Sequence, residues 1–302
     1  MAMKNFDPII EKAKSTGKKS RVVIAGADAE NILLGAFKAQ DEGFATPILV
    51  GDKEKITALV ERLGLSGKPH VVVPTREKDD VTQEAIDIIR QGGGDILMRG
   101  NIQTREFLLP LLDKSNGLRT DKHLTQIDLV SLPEYDKLIA IGDVTVTISP
   151  DYNQKKSIID NMAGLLSVLG YDKPNLALLS LVEEVSFHMK DTVEASELVR
   201  EHSRRPIANC NLVGPIAYDL ILSKEAARLK GYDNPLCGEF DGIVAPQLLA
   251  ANLIVKCWQM HADAQTCGVI IGANIPVALT SRSDDPEVSY RSLAVCAALP
   301  PK

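Results

Sequence analysis

Cysteine is scarce in this sequence and is not arranged as a disulfide framework or a zinc site requires. The 302 residues contain five cysteines, an odd number, and no two of them form a C-x-x-C pair. Widely spaced cysteines of this kind are typical of free thiols in a reducing compartment. Cys210 and Cys267 flank apolar runs, which favours a place in the core over a role as catalytic nucleophile.

Long apolar runs and an excess of positive charge are also missing. No apolar run approaches the roughly 18 residues that a membrane helix needs. Charged residues interrupt residues 1–17, where a secretory signal has its apolar segment, so we predict a cytoplasmic protein without a membrane partner. Lys plus Arg number 34 and Asp plus Glu number 40, and this net charge of −6 argues against a nucleic-acid partner. Phosphorylated small molecules stay possible, because a local arginine cluster binds them whatever the net charge.

Nucleotide and metal motifs that are readable from sequence are absent. The glycine loop at residues 25–30 lacks both G-x-G-x-x-G and G-x-x-x-x-G-K-[ST], which weakens a dinucleotide-binding or NTPase interpretation. Asp28 in this loop is predicted to cap the following helix. His188, His202 and His261 lack the i, i+4 spacing with a carboxylate that metal-binding helices use, so we predict no metal site.

Alternation of apolar strands with amphipathic helices is the main pattern that is present. It predicts an α/β fold with mostly parallel sheets flanked by helices on both faces. In the first half, the predicted strand and helix pairs are 21–25 with 32–39, 47–50 with 52–63, 70–73 with 81–89, and 95–98 with 103–112. In the second half, helices are predicted at 152–169, 192–202, 247–260 and 287–298, and strands at 175–180, 207–213, 242–245, 268–271 and 276–279.

The middle of the chain departs from this alternation. Three runs in succession are predicted to be strands, at 124–130, 138–141 and 144–148, and we place the main domain boundary near Gly142. Further on, a single helix is predicted at 215–230, with the next glycine as its left-handed cap.

The segment Leu-Thr-Ser-Arg-Ser-Asp-Asp-Pro-Glu at 279–287 carries the strongest local signal. It leaves an apolar strand and enters a helix, and free N–H groups at a helix N-terminus attract anions. Arg282 can add bidentate hydrogen bonds to phosphate. The alternative is plain helix capping, with Asp284 and Glu287 as a capping box or Asp285 as the N-cap. Capping leaves the arginine and the serine before it unexplained.

Two further turns place arginine beside hydroxyl groups. One is Met-Arg-Gly-Asn-Ile-Gln-Thr-Arg at 98–105, and the other is Gly-Leu-Arg-Thr at 117–120. Each is an ordinary solvated loop if taken alone. If the fold brings these turns together with Arg282, they form an anion pocket.

Several segments together carry a family resemblance. They are Gly-Gly-Asp-Ile-Leu-Met-Arg-Gly at 93–100 with Thr104, Gly-Leu-Arg-Thr at 117–120, Ser-Lys-Glu-Ala-Ala at 223–227 with Lys230 and Gly231, and Ile-Ile-Gly-Ala at 270–273 followed by Pro276 and Leu-Thr-Ser-Arg at 279–282. In this combination the chain resembles the phosphate acetyl/butyryltransferases, and the butyryl branch more than the acetyl branch. The resemblance extends from residues 24–27 to the final helix.

The resemblance implies a reaction and an architecture. The reaction is reversible transfer of a short-chain acyl group between coenzyme A and inorganic phosphate, by direct attack in a ternary complex, with butyryl or branched chains preferred over acetyl. Acyl-CoA and phosphate are the substrates, and no bound cofactor or metal is expected. The implied fold has two α/β domains of the isocitrate/isopropylmalate dehydrogenase type with an active-site cleft between them. Residues 1–142 plus 279–302 form the first domain and 143–278 the second, in a homodimer or larger homo-oligomer.

Site residues also follow from the resemblance. Arg282 is expected to bind phosphate and transition-state charge, and Ser281 to hydrogen-bond the reacting carbonyl or sulfur. Asp284 takes the place of the base, because the carboxylate that serves the acetyl branch has no counterpart here. The predicted substrate-binding residues are Arg99, Gly100, Thr104, Arg119, Thr120, Asp143 and Thr280.

Departures from the family pattern keep other hypotheses open. Asp-Val-Thr-Val-Thr at 143–147 and Ser-Phe-His-Met at 186–189 replace family turns. An alternative function is therefore a non-catalytic CoA-binding or regulatory module, which binds CoA without phosphate-dependent turnover. A dehydrogenase on a similar two-domain fold is a weaker hypothesis, because the nucleotide fingerprint is missing.

Overall fold

The computed structural model describes residues 3–75 and 81–300. The fold is α/β, with mostly parallel strands flanked by helices. The helices are α1 (Asp7–Ser15), α2 (Glu30–Asp41), α3 (Lys53–Arg62), α4 (Val81–Arg90), α5 (Thr104–Leu112), α6 (Tyr152–Val168), α7 (Lys190–Arg204), α8 (Tyr218–Leu222), α9 (Lys224–Lys230), α10 (Leu248–His261) and α11 (Pro286–Ala298). The strands are β1 (Ser20–Ala25), β2 (Ala45–Gly51), β3 (Val71–Pro74), β4 (Ile96–Arg99), β5 (Thr125–Ser131), β6 (Leu138–Gly142), β7 (Asn175–Leu179), β8 (Asn211–Ile216), β9 (Gly242–Val244), β10 (Gln265–Ile271) and β11 (Val277–Ala278).

The chain divides into two compact units. We call Phe6–Leu124 with Cys267–Lys302 the N-terminal unit, and Thr125–Thr266 with Met1–Asn5 the central unit. The sequence-based boundaries lie elsewhere, near residues 142 and 279. The first difference arises because β5 and β6 pair antiparallel, with Ile127 opposite Gly142, and β6 then pairs with β9. Residues on both sides of 142 therefore share one unit.

The N-terminal unit is built on a sheet in the order β3-β2-β1-β4-β11-β10. All neighbouring pairs are parallel except β10 with β11. Strand β4 is buried along its whole length, as expected for a central strand covered on both faces. The chain turns after β10, and β11 then pairs antiparallel with β10, with Ile270 opposite Val277.

Helix α11 packs closely on α2 in this unit. A Cβ atom at Gly35 of α2 would lie 2.6 Å from the Ser289 Cβ of α11, so the helices can approach only because residue 35 has no side chain. At the rim of this contact the Lys38 ammonium bonds both Glu287 carboxylate oxygens at 2.7 Å. The returning C-terminal helix is thereby fixed next to the first strand–helix pair.

The central unit has a sheet in the order β5-β6-β9-β7-β8, parallel from β6 to β8. Its core includes Ile141 of β6, Ile243 of β9 and Leu220 of α8, with Phe240 and Trp258 as the large aromatic members. The Trp258 indole N–H donates to the Tyr218 hydroxyl at 2.5 Å, which satisfies its polar atom.

Two element predictions are wrong. Residues 144–148 form a loop and not a strand, because the N–H groups of residues 145–147 donate to the Asp143 carboxylate. The single helix predicted at 215–230 is replaced by the end of β8 followed by α8 and α9. Pro215 lies in β8, an edge strand, where a missing N–H is tolerated. Ser223 interrupts the helical run because its hydroxyl caps α9 through the Ala226 N–H.

Candidate active site

The carboxyl ends of β1, β4 and β11 lie at one edge of the sheet in the N-terminal unit. Strand β4 pairs in parallel with β1 on one side and with β11 on the other, where Ala278 is opposite Met98. Three loops therefore leave the sheet side by side, and this is the edge at which α/β proteins bind ligands. It holds most of the predicted site residues: Arg99, Gly100, Thr104, Thr280, Ser281, Arg282 and Asp284.

Two glycines allow the first two loops to touch. A Cβ atom at Gly100 would lie 2.0 Å from the Gly26 carbonyl oxygen, a distance no side chain tolerates. The Gly100 N–H donates to the Ala25 carbonyl at 2.8 Å, and the Asn101 N–H donates to that of Gly26 at 2.6 Å. Gly26 itself has φ of +79°, which is unfavourable for residues with a side chain. These close contacts fix the backbone that carries Arg99.

Arg99 is a buried cation at this edge. Arg99 is only 4% exposed to solvent, and its Nη1 donates a hydrogen bond to the Thr104 hydroxyl at 2.7 Å. Burial and the neighbouring positive charge of Arg282 together lower the pKa of Arg99 to about 10, against the opposing effect of the Asp284 carboxylate. A guanidinium in such surroundings favours a negatively charged ligand, because a ligand would supply the countercharge that the protein supplies only in part.

Unsatisfied polar atoms accompany this cation. The Arg99 Nε and the Thr280 Oγ1 are both buried, and neither has a hydrogen-bond partner in the described part of the chain. Buried donors without a partner are rare in folded proteins and require a physical reason. An oxyanion bound between β4 and β11 would satisfy both, since each atom can donate a hydrogen bond.

The loop after β11 has a defined internal structure. The Asp284 Oδ2 accepts from the Ser281 N–H at 2.7 Å, and the Ser281 and Ser283 hydroxyl oxygens lie 3.0 Å apart. Asn31 of α2 donates from Nδ2 to the Asp284 carbonyl at 2.8 Å. The carboxylate at 284 therefore holds the turn that carries Ser281 and Arg282.

Helix capping in this loop is assigned to a different acid. The Asp285 carboxylate accepts from the Val288 N–H at 3.0 Å and Pro286 occupies the first turn, so the predicted N-cap is confirmed. The alternative capping box of Asp284 with Glu287 is wrong, because the Glu287 carboxylate is bonded to Lys38. Helix capping therefore explains Asp285 but does not explain Ser281, Arg282 or Asp284.

Arg282 projects from the edge into a groove. The groove has a cavity volume of about 230 Å³ and is lined by the loops that follow the parallel strands, namely Gly26, Asp28, Gly51, Asp52, Lys55, Thr75, Val81, Asn101, Ile102, Gln103, Glu106 and Arg282. Arg282 is exposed, in contrast to the buried Arg99. Arg99 is thus buried at the end of β4, whereas Arg282 is accessible to solvent in the groove.

Comparisons with known proteins identify the family of the chain. Residues 68–297 match the family model described as phosphate acetyl/butaryl transferase. The chain belongs to this family. It is 31% identical to a phosphate acetyltransferase of Thermotoga maritima over 97% of this chain and 98% of that one. It is also 31% identical to a phosphate butyryltransferase of Clostridium beijerinckii over 97% of each chain.

Solved structures support the same assignment. A branched-chain phosphotransacylase from Enterococcus faecalis superposes with a TM-score of 0.79 at 28% identity, over 92% of this chain and 98% of that one. This phosphate acyltransferase therefore shares its fold with a branched-chain phosphotransacylase as well as its sequence family with phosphate acetyl- and butyryltransferases. The resemblance that the arginine-bearing segments predicted is confirmed.

The third arginine turn of this acyltransferase lies at the other end of the sheet. Arg119 bridges to Ala273, and the Thr120 hydroxyl donates to the Gly272 carbonyl at 2.6 Å, so both are bound to the turn between β10 and β11. That turn is at the amino end of β11, whereas Arg282 follows its carboxyl end. The structure brings Arg99 and Arg282 together and does not bring Arg119 and Thr120 to them. The Arg119 Nε is nevertheless buried without a partner among the described residues.

Asp143 belongs to the central unit, and its carboxylate accepts hydrogen bonds from the backbone. Its carboxylate accepts N–H groups from Gln126, Thr145, Val146 and Thr147 at 2.9–3.2 Å. Burial raises the pKa of this carboxyl above its ordinary value, and the four donors oppose that shift. These contacts show how Asp143 orders the loop after β6, and its role in substrate binding stays a prediction.

Sequence reasoning missed several residues of the groove. Asp28 was predicted to be the cap of α2, but the helix begins at Glu30 with Ala29 as N-cap and no side-chain cap, so that prediction is wrong. Asp28 lines the groove instead, together with Asp52 and Asn101. A usable signal was present, because each of these residues lies within three residues of the end of a parallel strand.

The described residues were also compared with the requirements of a metal site, a thiolate nucleophile and a membrane-spanning helix. No group of three or more His, Cys, Asp or Glu side chains that could hold a metal occurs there. Cys210 and Cys267 are buried, as predicted, and burial raises the pKa of the Cys210 thiol to about 11, which disfavours a thiolate nucleophile. None of the described helices combines the length and apolar character needed to cross a membrane.

Proposed function

We propose that this phosphate acyltransferase moves a short-chain acyl group between coenzyme A and inorganic phosphate, with butyryl or branched chains preferred over acetyl. The observation that carries the proposal is the pairing of the buried Arg99 with the exposed Arg282 at the carboxyl ends of β4 and β11. Two guanidinium groups opposed by one nearby carboxylate suit a dianion such as phosphate. Planar guanidinium groups bind such oxyanions through paired hydrogen bonds.

The phosphate subsite is formed by groups whose positions are already set. Arg99 is held by Thr104 and offers its unpartnered Nε, and Thr280 offers a buried hydroxyl. Arg282 closes the site from the groove side. Because the donors are arranged before phosphate arrives, little reorganisation is needed to stabilise negative charge in the transition state.

The chemical step is a direct attack in a ternary complex. In the direction that forms acyl phosphate, a phosphate oxygen attacks the thioester carbonyl carbon and a tetrahedral oxyanion forms. The carbon–sulfur bond then breaks, the acyl–oxygen bond remains, and the CoA thiolate takes up a proton. In the reverse direction the thiol must lose that proton before it attacks, since the thiolate is the nucleophile.

Three residues of the loop after β11 have different roles in this reaction. Arg282 stabilises the charge on phosphate and on the tetrahedral oxyanion. Ser281 lies beside Arg282 and donates a hydrogen bond to the reacting carbonyl or the departing sulfur. Asp284, whose carboxylate accepts the Ser281 N–H, exchanges the proton of the thiol in this proposal.

Acyl preference rests on the relatives. Acetyl and butyryl transferases match this chain at equal identity, and the structural neighbour of branched-chain type covers almost all of it. The resemblance of the arginine-bearing segments to the butyryl branch supports the longer acyl group.

The test is phosphate-dependent release of CoA thiol from acetyl-, propionyl-, butyryl- and isobutyryl-CoA, with controls lacking phosphate. We expect the highest kcat/KM with butyryl- or isobutyryl-CoA. Arg282→Ala should lower kcat/KM by about 10²–10³-fold, the loss typical when a transition-state donor is removed. Arg90→Ala, at the exposed end of α4, serves as the matched charge control and should retain full activity.

Opposite outcomes are informative. Near-normal kcat/KM in Arg282→Ala removes that residue from the mechanism. CoA binding measured by calorimetry without any phosphate-dependent release returns the non-catalytic binding module as the better hypothesis. A peak with acetyl-CoA contradicts the acyl preference while leaving the reaction intact.

A further inference from the structure

A further cavity of the N-terminal unit lies at the end of the sheet opposite to Arg99 and Arg282. Its volume is about 220 Å³, and it is lined by Ser20, Ile96 and Pro276, which stand at the amino ends of β1, β4 and β11. The last turn of α11 closes it, and every lining residue belongs to the N-terminal unit. We call it the amino-end cavity. The same three strands therefore carry the candidate active site at one end and this cavity at the other.

Much of the lining of the amino-end cavity is apolar. Ile96, Cys296 and Ala297 are at most 8% exposed, and the half-buried Ile275 and Leu299 add to this surface. Hydrocarbon that enters the cavity leaves water and gains close contacts with these side chains. The lining therefore favours a ligand with an aliphatic part.

Ser20 is the most deeply buried polar residue of the lining, at 6% exposure. Its backbone N–H donates to the Phe44 carbonyl at 3.0 Å, but its hydroxyl has no hydrogen-bond partner among the described residues. A buried hydroxyl without a partner is costly and requires a physical reason. A ligand with an acceptor oxygen would satisfy this donor.

The charged side chains at the cavity sum to one positive charge. Lys18 and Asp95 line it, and the Lys18 Nζ donates to the Asp95 Oδ1 at 3.0 Å. The Asp95 Oδ2 accepts from the Arg21 Nε at 3.0 Å and from the Arg21 backbone N–H at 2.8 Å, so both carboxylate oxygens are engaged. The Lys18 ammonium has three N–H donors and uses one of them on Asp95. The Thr16 hydroxyl accepts the Lys18 backbone N–H at 3.2 Å and fixes the turn that carries this lysine.

We propose that the amino-end cavity binds a short aliphatic carboxylate. Its carboxylate accepts from the Ser20 hydroxyl and the Lys18 ammonium, and its hydrocarbon chain packs on Ile96 and Ile275. Pockets for drug-sized ligands measure about 300–1,000 Å³, so this smaller cavity suits a chain of about four to six carbons. One surplus positive charge favours a monoanion over phosphate, which would also leave the apolar lining unfilled. An amine is disfavoured, because the carboxylate that would bind it is already engaged by Lys18 and Arg21.

The experiment is calorimetric titration of the full chain with butyrate and hexanoate, and with 1-butanol and butylamine as the neutral and cationic counterparts. We expect both carboxylates to bind at one site with a Kd of about 1 mM, which small ligands of this size reach, and the other two to bind at least about tenfold more weakly. Ser20→Ala and Lys18→Met should each raise the Kd for butyrate about tenfold or more, since each removes a hydrogen bond to a charged group. Ser15→Ala and Lys19→Met are the matched controls, exposed and outside the lining, and should leave the Kd unchanged.

A further variant separates this cavity from the candidate active site. Arg282→Ala should bind butyrate as the unaltered chain does. Loss of binding in Arg282→Ala, with binding retained in Ser20→Ala, would place the carboxylate in the active site and overturn the proposal. Equal or tighter binding of 1-butanol or butylamine overturns the carboxylate assignment.

Methyl NMR of the unaltered chain gives a readout that needs no variant to fold. The Ile275 methyl resonances should shift during titration with hexanoate, along the same saturation curve as the calorimetric signal. The Ile148 methyl groups are the control, because Ile148 is 77% exposed in the central unit, and they should not shift. An Ile275 signal that stays in place at saturating hexanoate contradicts binding in the cavity.

Discussion

The Arg99 guanidinium donates from Nη1 to the Thr104 hydroxyl at 2.7 Å, across the turn that joins β4 to α5. This bond orients a buried cation whose Nε is left without a partner among the described residues. Because Thr104 begins the helix and Arg99 ends the strand, the helix start and the arginine side chain hold each other in place.

Thr104→Val should weaken phosphate binding. Valine keeps the volume of threonine but accepts no hydrogen bond, so the Arg99 side chain loses its orientation. A hydrogen bond to a charged group contributes about 1.5–3 kcal/mol, which corresponds to roughly 10- to 150-fold in the KM for phosphate. Thr104→Ser should retain the bond and remain near normal. Steady-state kinetics with phosphate and acyl-CoA varied separately check this, and an unchanged KM for phosphate in Thr104→Val contradicts the positioning role.

Gly100→Ala should disrupt the site through the backbone. An added Cβ would lie 2.0 Å from the Gly26 carbonyl oxygen, so the loops after β1 and β4 must separate. We expect the free energy of unfolding to fall by about 3 kcal/mol or more, as for other forced overpacking. Gly164→Ala is the matched control: nothing lies within 4 Å of its Cβ position, and alanine inside α6 should raise stability by up to about 1 kcal/mol. Urea unfolding of both variants separates the effects, and equal stability of Gly100→Ala and the unaltered chain would show that the two loops are free to move apart.

Asp143→Asn should destabilise the central unit. The carboxylate accepts four backbone N–H groups through two oxygens, and an amide offers one oxygen and adds an N–H that faces those donors. We expect a loss of about 1–3 kcal/mol, measured by urea unfolding, with Asp233→Asn on the exposed surface as control. If stability is unchanged while the KM for acyl-CoA rises, Asp143 acts on substrate and not on its own loop.

Stability should depend on pH through Asp95. Burial by itself raises the pKa of this carboxyl, but hydrogen bonds from Arg21 and Lys18 outweigh burial and hold the pKa well below its usual range. A carboxyl with a depressed pKa stabilises the folded state above its unfolded pKa of about 3.9, and that contribution is lost as the pH falls further. Asp95→Asn should therefore cost about 1–2 kcal/mol at pH 7 and measurably less at pH 3, where the contribution has begun to fall, with the rest lost only as the pH passes through the lowered pKa of the folded state.

Unfolding in urea at both pH values tests the Asp95 prediction. Asp136→Asn is the control, because the Asp136 side chain is 93% exposed and pairs with Lys4 in solvent. We expect no measurable change for this variant at either pH. A difference between Asp95→Asn and the unaltered chain that stays constant from pH 7 to pH 3 is incompatible with the titration argument.

Local patterns predicted most elements because they depend on neighbours in the chain. Apolar runs identified the strands of the parallel sheets, and Gly231 does cap α9 with φ of +65°. Element predictions failed where strand pairing or a side-chain hydrogen bond determined the local structure. Apolar spacing across 215–230 does not reveal that Pro215 sits in an edge strand, and the run at 144–148 does not reveal that its N–H groups bond Asp143.

The sequence by itself determined the chemical groups of this protein and its family: three turns with arginine beside hydroxyl groups, each at the end of a strand or helix. Tertiary structure decided which of them meet. Strand β11 runs parallel to β4, so Arg282 emerges beside Arg99, whereas Arg119 is bound to the turn at the opposite end of β11. The three turns look equivalent in sequence because strand direction and register are set by pairing between residues far apart in the chain.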